Sequence, residues 1–477
     1  MAESHIRKFY DRQNVFITGG TGFMGKVLTE KLLRSTNVAT IYILIRTKKG
    51  KDAQTRLKEM LNDVLFEKLQ SECSNFKDRV IAIPGDCTLP DLGLEVANQE
   101  TLITDTNIVF HVAATVRFNE NIKLAYDINV KGVENLVNFC KRMKMLKSLV
   151  HVSTAFCNCH LDSIEEKFYG YPLHYEKIEA ILEEASPTEA NNLATLMLRG
   201  WPNTYTFTKA WGEALIKDIA GDLPIAIFRP AIVTSTYNEP IESWTCSLGG
   251  PANVIANAGL GLIRIFPCDP RLCGEIVPVD MSIAALIAIA WDVTSEQETR
   301  TTKIPIYNYV SSVDNPLRSD EFVELNKMQF SRYPLSNCLW VPKFRIMRKS
   351  RFYSFLLIAY HYIPAFFLDI LMTFCFKKPR MVNIYKKIED VSELFRFFTE
   401  KNWTFSNDNI KRLWNKMDGF DKELFPFDIV AVNWIKYLRN YYKGLRMYIF
   451  KDPLETLPKA RIRAQRLEIL HKVLMFT

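Results

Sequence analysis

Residues 15–35 read VFITGGTGFMGKVLTEKLLRS. Val15-Phe16-Ile17-Thr18 is a short apolar run of the kind that forms a buried strand. From Met24 to Arg34 the apolar residues Val27, Leu28, Leu32 and Leu33 recur at helical spacing. Between the two lies a turn with Gly19, Gly22 and Gly25 three residues apart. A strand, a glycine turn and a helix in this order predict a dinucleotide-binding unit. Gly19 permits the tight turn, Gly22 lets a pyrophosphate approach the backbone, and Gly25 lets helix and strand pack closely. The uncapped N–H groups of the helix then face the phosphate charge. Thr18, Phe23 and Met24 belong to the same turn and are expected beside the cofactor.

Working outward, the alternation continues. Residues 40–45, 80–83, 108–112, 148–152 and 224–228 are further apolar strands, separated by helical spacing over 52–69 and 122–143. This pattern predicts an α/β fold with a Rossmann-like, doubly wound parallel sheet. Residues 157–200 break the rhythm and read as an insertion over the ligand-binding edge of the sheet. Residues 235–345 are less regular and are expected to form most of the substrate-binding portion. The expected division is a dinucleotide-binding domain over 1–345 and a mainly helical, basic domain over 346–477.

The end of the second strand sets the type of cofactor. NAD binders place a carboxylate there, whereas this chain has Arg46, with Lys48 and Lys49 behind it. A guanidinium fork suits a 2′-phosphate, so NADPH is expected. Asp86, after the third strand, is expected near the adenine. Ala113, Ala114 and Thr115, after the fourth, are expected along the cofactor path.

Tyr205-Thr206-Phe207-Thr208-Lys209 supplies a phenol and an ammonium four residues apart. On a helix these project from one face. A neighbouring cation favours a phenolate, which suits Tyr205 to acid–base work and Lys209 to supporting it and the cofactor. Thr154 ends the fifth strand, where a hydroxyl can bond a substrate carbonyl, with Ser153 as the alternative. The three expected catalytic residues are therefore Thr154, Tyr205 and Lys209.

The net charge of +8 divides unevenly, −5 over residues 1–340 and +13 over residues 341–477. A basic rear segment suits a membrane surface or a phosphorylated substrate. No C-x-x-C pair occurs, and Cys157, Cys159 and His160 lack a fourth ligand, so no metal site is expected. Met1 to Asn14 is polar, without the apolar core of a secretory signal, and a cytosolic catalytic region is expected. Residues 352–376 form an aromatic, nearly uncharged run with basic flanks. Its length would allow a span, but Pro364 and Asp369 favour an interfacial hairpin.

The sequence resembles the fatty acyl-CoA reductases of the extended short-chain dehydrogenase/reductase superfamily, especially those of insects. The resemblance rests on residues 15–35, HVAATVRF (111–118), INVKGVENL (128–136), HVSTAFCN (151–158), NTYTFTKA (203–210) and FRPAIV (228–233). It extends to HYIPAFFLD (361–369), KKPRMVNIYKKI (377–388) and NWTFSNDN (402–409) in the rear segment. It implies NADPH-dependent reduction of a long-chain acyl-CoA to a primary alcohol through an aldehyde, with release of coenzyme A. It also places Pro230 at the cofactor. The resemblance implies a membrane-associated enzyme, with the endoplasmic reticulum expected ahead of the peroxisome and both open. No nucleic-acid partner is expected, and a homo-oligomer is allowed. Two other readings stand beside it: an extended-family oxidoreductase acting on a sterol or nucleotide sugar, and a non-catalytic NADP-binding lipid-associated scaffold.

Overall fold

The computed structural model describes residues 4–171, 175–198, 200–295 and 304–476. Seven strands form one parallel sheet: β1 (Asn14–Thr18), β2 (Thr40–Ile45), β3 (Val80–Pro84), β4 (Ile108–His111), β5 (Ser148–Val152), β6 (Ile225–Pro230) and β7 (Ile306–Tyr309). Their order is β7-β6-β5-β4-β1-β2-β3. The order reverses between β1 and β4, each of which pairs with the other in parallel. That is the switch point at which doubly wound sheets open a crevice for ligand. β1, β4, β5 and β6 are buried almost throughout, which is why they read as continuous apolar runs.

Five helices bear on the site: α1 (Phe23–Ser35), α2 (Thr204–Ile219), α3 (Val279–Ser295), α4 (Arg351–Phe374) and α5 (Met381–Thr399). α1 and α3 pack together against one face of the sheet. α2 starts on Asn203, whose side chain accepts the Thr206 N–H, and covers the other. The interruption after β5 holds a short strand, Ser163–Ile164, and helices Tyr175–Glu184 and Pro187–Leu198.

The seventh strand lies where the sequence looked irregular. Ile306-Tyr307-Asn308-Tyr309 has no apolar run, yet all four residues are buried. Its side-chain donors are bonded: the Asn308 amide donates to the carbonyls of Ile164 and Ser406, and the Tyr309 hydroxyl donates to that of Phe427. Those acceptors are distant in sequence, so the strand is specified by tertiary partners.

The rear segment wraps the front of the molecule. Thr404–Phe405 pairs with Ser163–Ile164. Near the N-terminus, Ser4 and the Ile6 N–H both bond the Asp421 carboxylate. One apolar core runs from Ile6 through the sheet to Leu445.

Candidate functional site

At the crevice the glycine turn has the shape its spacing predicted. Gly19 is left-handed at φ +73°, and a Cβ there would lie 2.6 Å from the Ala113 nitrogen on the β4 side. A Cβ on Gly25 would meet the Gly19 carbonyl oxygen at 2.4 Å, so α1 can approach the turn only with glycine at that position. Gly22 is the N-cap of α1 and offers no side-chain cap. A dinucleotide pyrophosphate fits such an end, because nothing in the cap competes for the amides. Thr18 ties the two sides of the crevice: its hydroxyl accepts the Ala113 N–H and shares a 2.6 Å hydrogen bond with His111 Nδ1. Phe23 stacks on Trp244, 5.8 Å between centroids, and Met24 packs on the core.

Beyond β2, Arg46 is half-exposed and lies 3.8 Å from Asp86. Sequence reading missed a second guanidinium. Arg56 donates to the Arg46 carbonyl and to the Thr21 hydroxyl, joining the cationic loop to the glycine turn. Arg46, Arg56, Lys49 and Arg117 together push the Lys48 ammonium below its ordinary range, with Arg46 contributing most. Five crowded cations, with Asp86, Glu59 and Glu120 as the carboxylates beside them, are a field that an added phosphate would relieve. Asp86 turns its other oxygen to Thr88, so it is a loop-forming residue as well as the partner of Arg46.

Across the crevice, Thr115 is held by Asn129, which accepts the Thr115 N–H, donates to its carbonyl and also donates to the Thr208 hydroxyl. Asn129 lies on a π-helical turn, Asp127–Lys131. It was also missed, although that wide turn is what aims it into the site. Pro230 ends β6, and its carbonyl accepts the Ala155 N–H, closing the loop after β5.

Tyr205 and Lys209 share one face of α2. Burial pushes the Tyr205 phenol up to about 12, opposed by a hydrogen bond with Thr154. Thr154, rather than Ser153, therefore faces the phenol. The Ser153 hydroxyl is buried without a hydrogen-bond partner. Lys209 is buried, and its ammonium donates to the Val152 carbonyl at 2.7 Å. Burial lowers it to about 8, offset by Glu213 and Cys157. The expectation that Lys209 depresses the phenol is not what the geometry emphasises, because the ammonium is committed to the end of β5. Cys157 is buried beside the site, and burial raises its thiol well above the usual range. It is poorly suited to act as a nucleophile. The Cys159 carbonyl, like those of His160 and Leu161, receives the Lys401 ammonium, and the Trp403 indole also donates to it. This loop is thus clamped by the rear segment. Among the described residues no group of three or more His, Cys, Asp or Glu is placed to hold a metal.

α2 is locked by a buried ion pair. Arg229 on β6 binds Glu213 through two nitrogens and donates as well to the Glu165 and Lys167 carbonyls.

With this geometry in view, two family models, both described as male sterility protein, match residues 17–286 and 360–452; the first is an NAD-binding model. Fatty acyl-CoA reductase wat of Drosophila melanogaster is 41% identical over 98% of this chain and 90% of that protein. The chain belongs to the fatty acyl-CoA reductase family. Fatty acyl-CoA reductase 1 of Xenopus laevis is 34% identical, over 97% and 89% of the two chains, and that of Homo sapiens 33% over the same shares. The fold recurs in the terminal R domain of the myxalamid pathway, with a TM-score of 0.61, 16% identity and coverage of 91% and 90%. It recurs again in the reductase domain of a nonribosomal peptide synthetase from Mycobacterium tuberculosis, at 0.61, 19% and 92% of each chain. The reductase is therefore an oxidoreductase with a nicotinamide-dinucleotide-binding domain.

Proposed function

We propose that this reductase uses NADPH to convert a long-chain acyl-CoA to a primary alcohol, releasing coenzyme A at the aldehyde stage. The observation that carries the reading is the placement of Tyr205 against Thr154 on the crevice into which the glycine turn opens. The cofactor supplies a hydride at each of two reductions. Gly19, Gly22 and the N-terminus of α1 hold its pyrophosphate, with Thr18, Phe23, Met24 and Gly25 shaping the turn. Arg46 and Arg56 take the 2′-phosphate, which is why we assign NADPH over NADH. Asp86, Ala113, Ala114, Thr115 and Pro230 line the rest of the path.

Thr154 donates to the substrate carbonyl oxygen. A phenol held near pKa 12 stays protonated at neutral pH and can give its proton to the far more basic alkoxide that hydride addition creates. In the first reduction the resulting hemithioacetal loses coenzyme A thiol and leaves an aldehyde. In the second, the same phenol protonates the primary alkoxide. Lys209, charged below about pH 8, braces the strand end beneath both groups and is the residue that would support the cofactor's ribose. Two hydrides and two protons are used for each alcohol and thiol formed.

The substrate reading is supported by the rear segment. α4 is the described helix long and apolar enough to cross a membrane by length and composition, and only 17% of its apolar window is buried. Phe352, Phe355, Phe366, Phe367, Leu371 and Phe374 are exposed on it. Asp369 does not stand bare: it accepts the N–H groups of Arg380, Met381 and Val382 and so caps α5. Pro364 follows a π-turn, Ile358–Tyr362, which takes up its missing N–H. The result is a helical hairpin with lysines and arginines at both ends, suited to lie in an anionic membrane interface.

The test is incubation of the purified protein with NADPH and palmitoyl-CoA. The expected products are hexadecanol and free coenzyme A, with two NADPH consumed per alcohol. Binding of NADPH with no turnover would favour the scaffold reading instead.

A further inference from the structure

α5 joins two parts of the molecule. Its N-terminal end is capped by Asp369 and packs against the exposed hairpin helix α4. Its C-terminal end meets Phe118, the ring that stacks on Tyr205. Phe118 stacks on the Tyr205 ring at 6.1 Å and 14°. The same Phe118 meets Phe395 of α5 at 5.5 Å and Phe398 at 5.2 Å. Phe398 also meets Phe156 at 5.5 Å. These aromatic rings are only partly buried, apart from Phe156, although a fully packed core would bury them all.

Between those ends, Ile384, Ile388, Val391, Phe395 and Phe398 follow one another at spacings of four, three, four and three. On a helix that spacing makes one stripe. The residues that α5 buries fully, Tyr385 and Ser392, lie to one side of it. The stripe is therefore at the margin of the packed face, apolar along its length yet incompletely covered, with Val391 39% exposed. A helix that needed only to pack would bury such a row, and one that needed only to be solvated would carry charge there.

We infer that this stripe of α5 is the rail along which the substrate's acyl chain lies, from the exposed hairpin to the thioester carbon at Tyr205. The occupant is a hydrocarbon chain: the rail is apolar, it ends at Phe118 beside the phenol assigned to proton donation, and its other end meets a helix with an exposed apolar surface. The inference rests on the proposed reduction of acyl-CoA and adds what measures the chain. Phe398 and Phe395 contact the carbons near the carbonyl, while Val391, Ile388 and Ile384 contact those farther away. Each methylene laid on the rail should raise kcat/KM by up to about fourfold, until the chain outruns it.

The experiment is a chain-length series, from octanoyl- to stearoyl-CoA, with full-length wild type, Val391→Arg and Phe398→Ala. Val391 is on the surface, so its replacement leaves the fold and NADPH affinity intact, the latter checked by fluorescence titration. Val391→Arg should lower kcat/KM for stearoyl-CoA at least tenfold while leaving octanoyl-CoA within twofold. Phe398→Ala should lower both. A Val391→Arg protein whose ratio of long- to short-chain activity equals that of the wild type overturns the rail and leaves the reductase reading standing. A wild type that reduces no acyl-CoA of any length overturns both.

Discussion

Lys209 carries an ammonium in a place that resists charge. Burial brings it to about 8, and the charged form is lost as pH rises through that value. If the ammonium braces the site, kcat/KM falls above about pH 8, and Lys209→Arg, which keeps its charge, moves that limb upward. A pH profile of both proteins checks this. Arg46 and Arg56 are the proposed holders of the 2′-phosphate. Replacing both with Ala should raise the KM for NADPH about tenfold or more and leave that for NADH nearly unchanged, because only the 2′-phosphate distinguishes the two. At this scale the sequence was readable wherever a residue's meaning comes from its near neighbours: the glycines by their spacing, Tyr205 and Lys209 by one helical turn. Arg56 and Asn129 escaped because their significance is tertiary. Arg56 reaches back 35 residues to Thr21, and Asn129 bonds forward to Thr208.

The glycine turn and α2 are the two elements that set the geometry, and they are held differently. The turn is held by exclusion, since no side chain fits at Gly19 or Gly25. α2 is held by charge, through the buried contact of Glu213 with Arg229. Glu213→Ala leaves that guanidinium without its carboxylate and should destabilise the fold by about 3–5 kcal/mol, read as a lower denaturant midpoint at unchanged slope. Strands β1 to β6 follow from apolar periodicity, as do the helices after β1, β2 and β4; the helix Val96–Asp105 before β4 and the two helices of the insertion were not read from it. β7 does not follow from it, because Asn308 and Tyr309 are bonded by residues of the insertion and the rear segment, and Tyr307 by Asp292 of α3.

On the scale of the whole molecule, the rear segment is part of the site. Lys401 and Trp403 clamp the loop after β5, Thr404–Phe405 extends the insertion, and α5 packs aromatic rings on Phe118, the neighbour of Tyr205. The sequence reading divides the chain at residue 345; one apolar core includes residues on both sides of that division, and the basic charge of residues 341–477 describes the surface over it. That surface should be felt by lipid. Charge reversal at Lys377, Lys378 and Arg380 should weaken sedimentation with phosphatidylserine vesicles at low salt and leave binding to neutral vesicles unchanged.

The central claim is that Tyr205 supplies the proton over a bound dinucleotide. Single-turnover reduction of palmitoyl-CoA by Tyr205→Phe, set beside the NADPH affinity of the same protein, tests it most directly. The predicted result is wild-type affinity with reduction slowed at least a hundredfold. A variant that reduces the thioester at the wild-type rate would contradict the account.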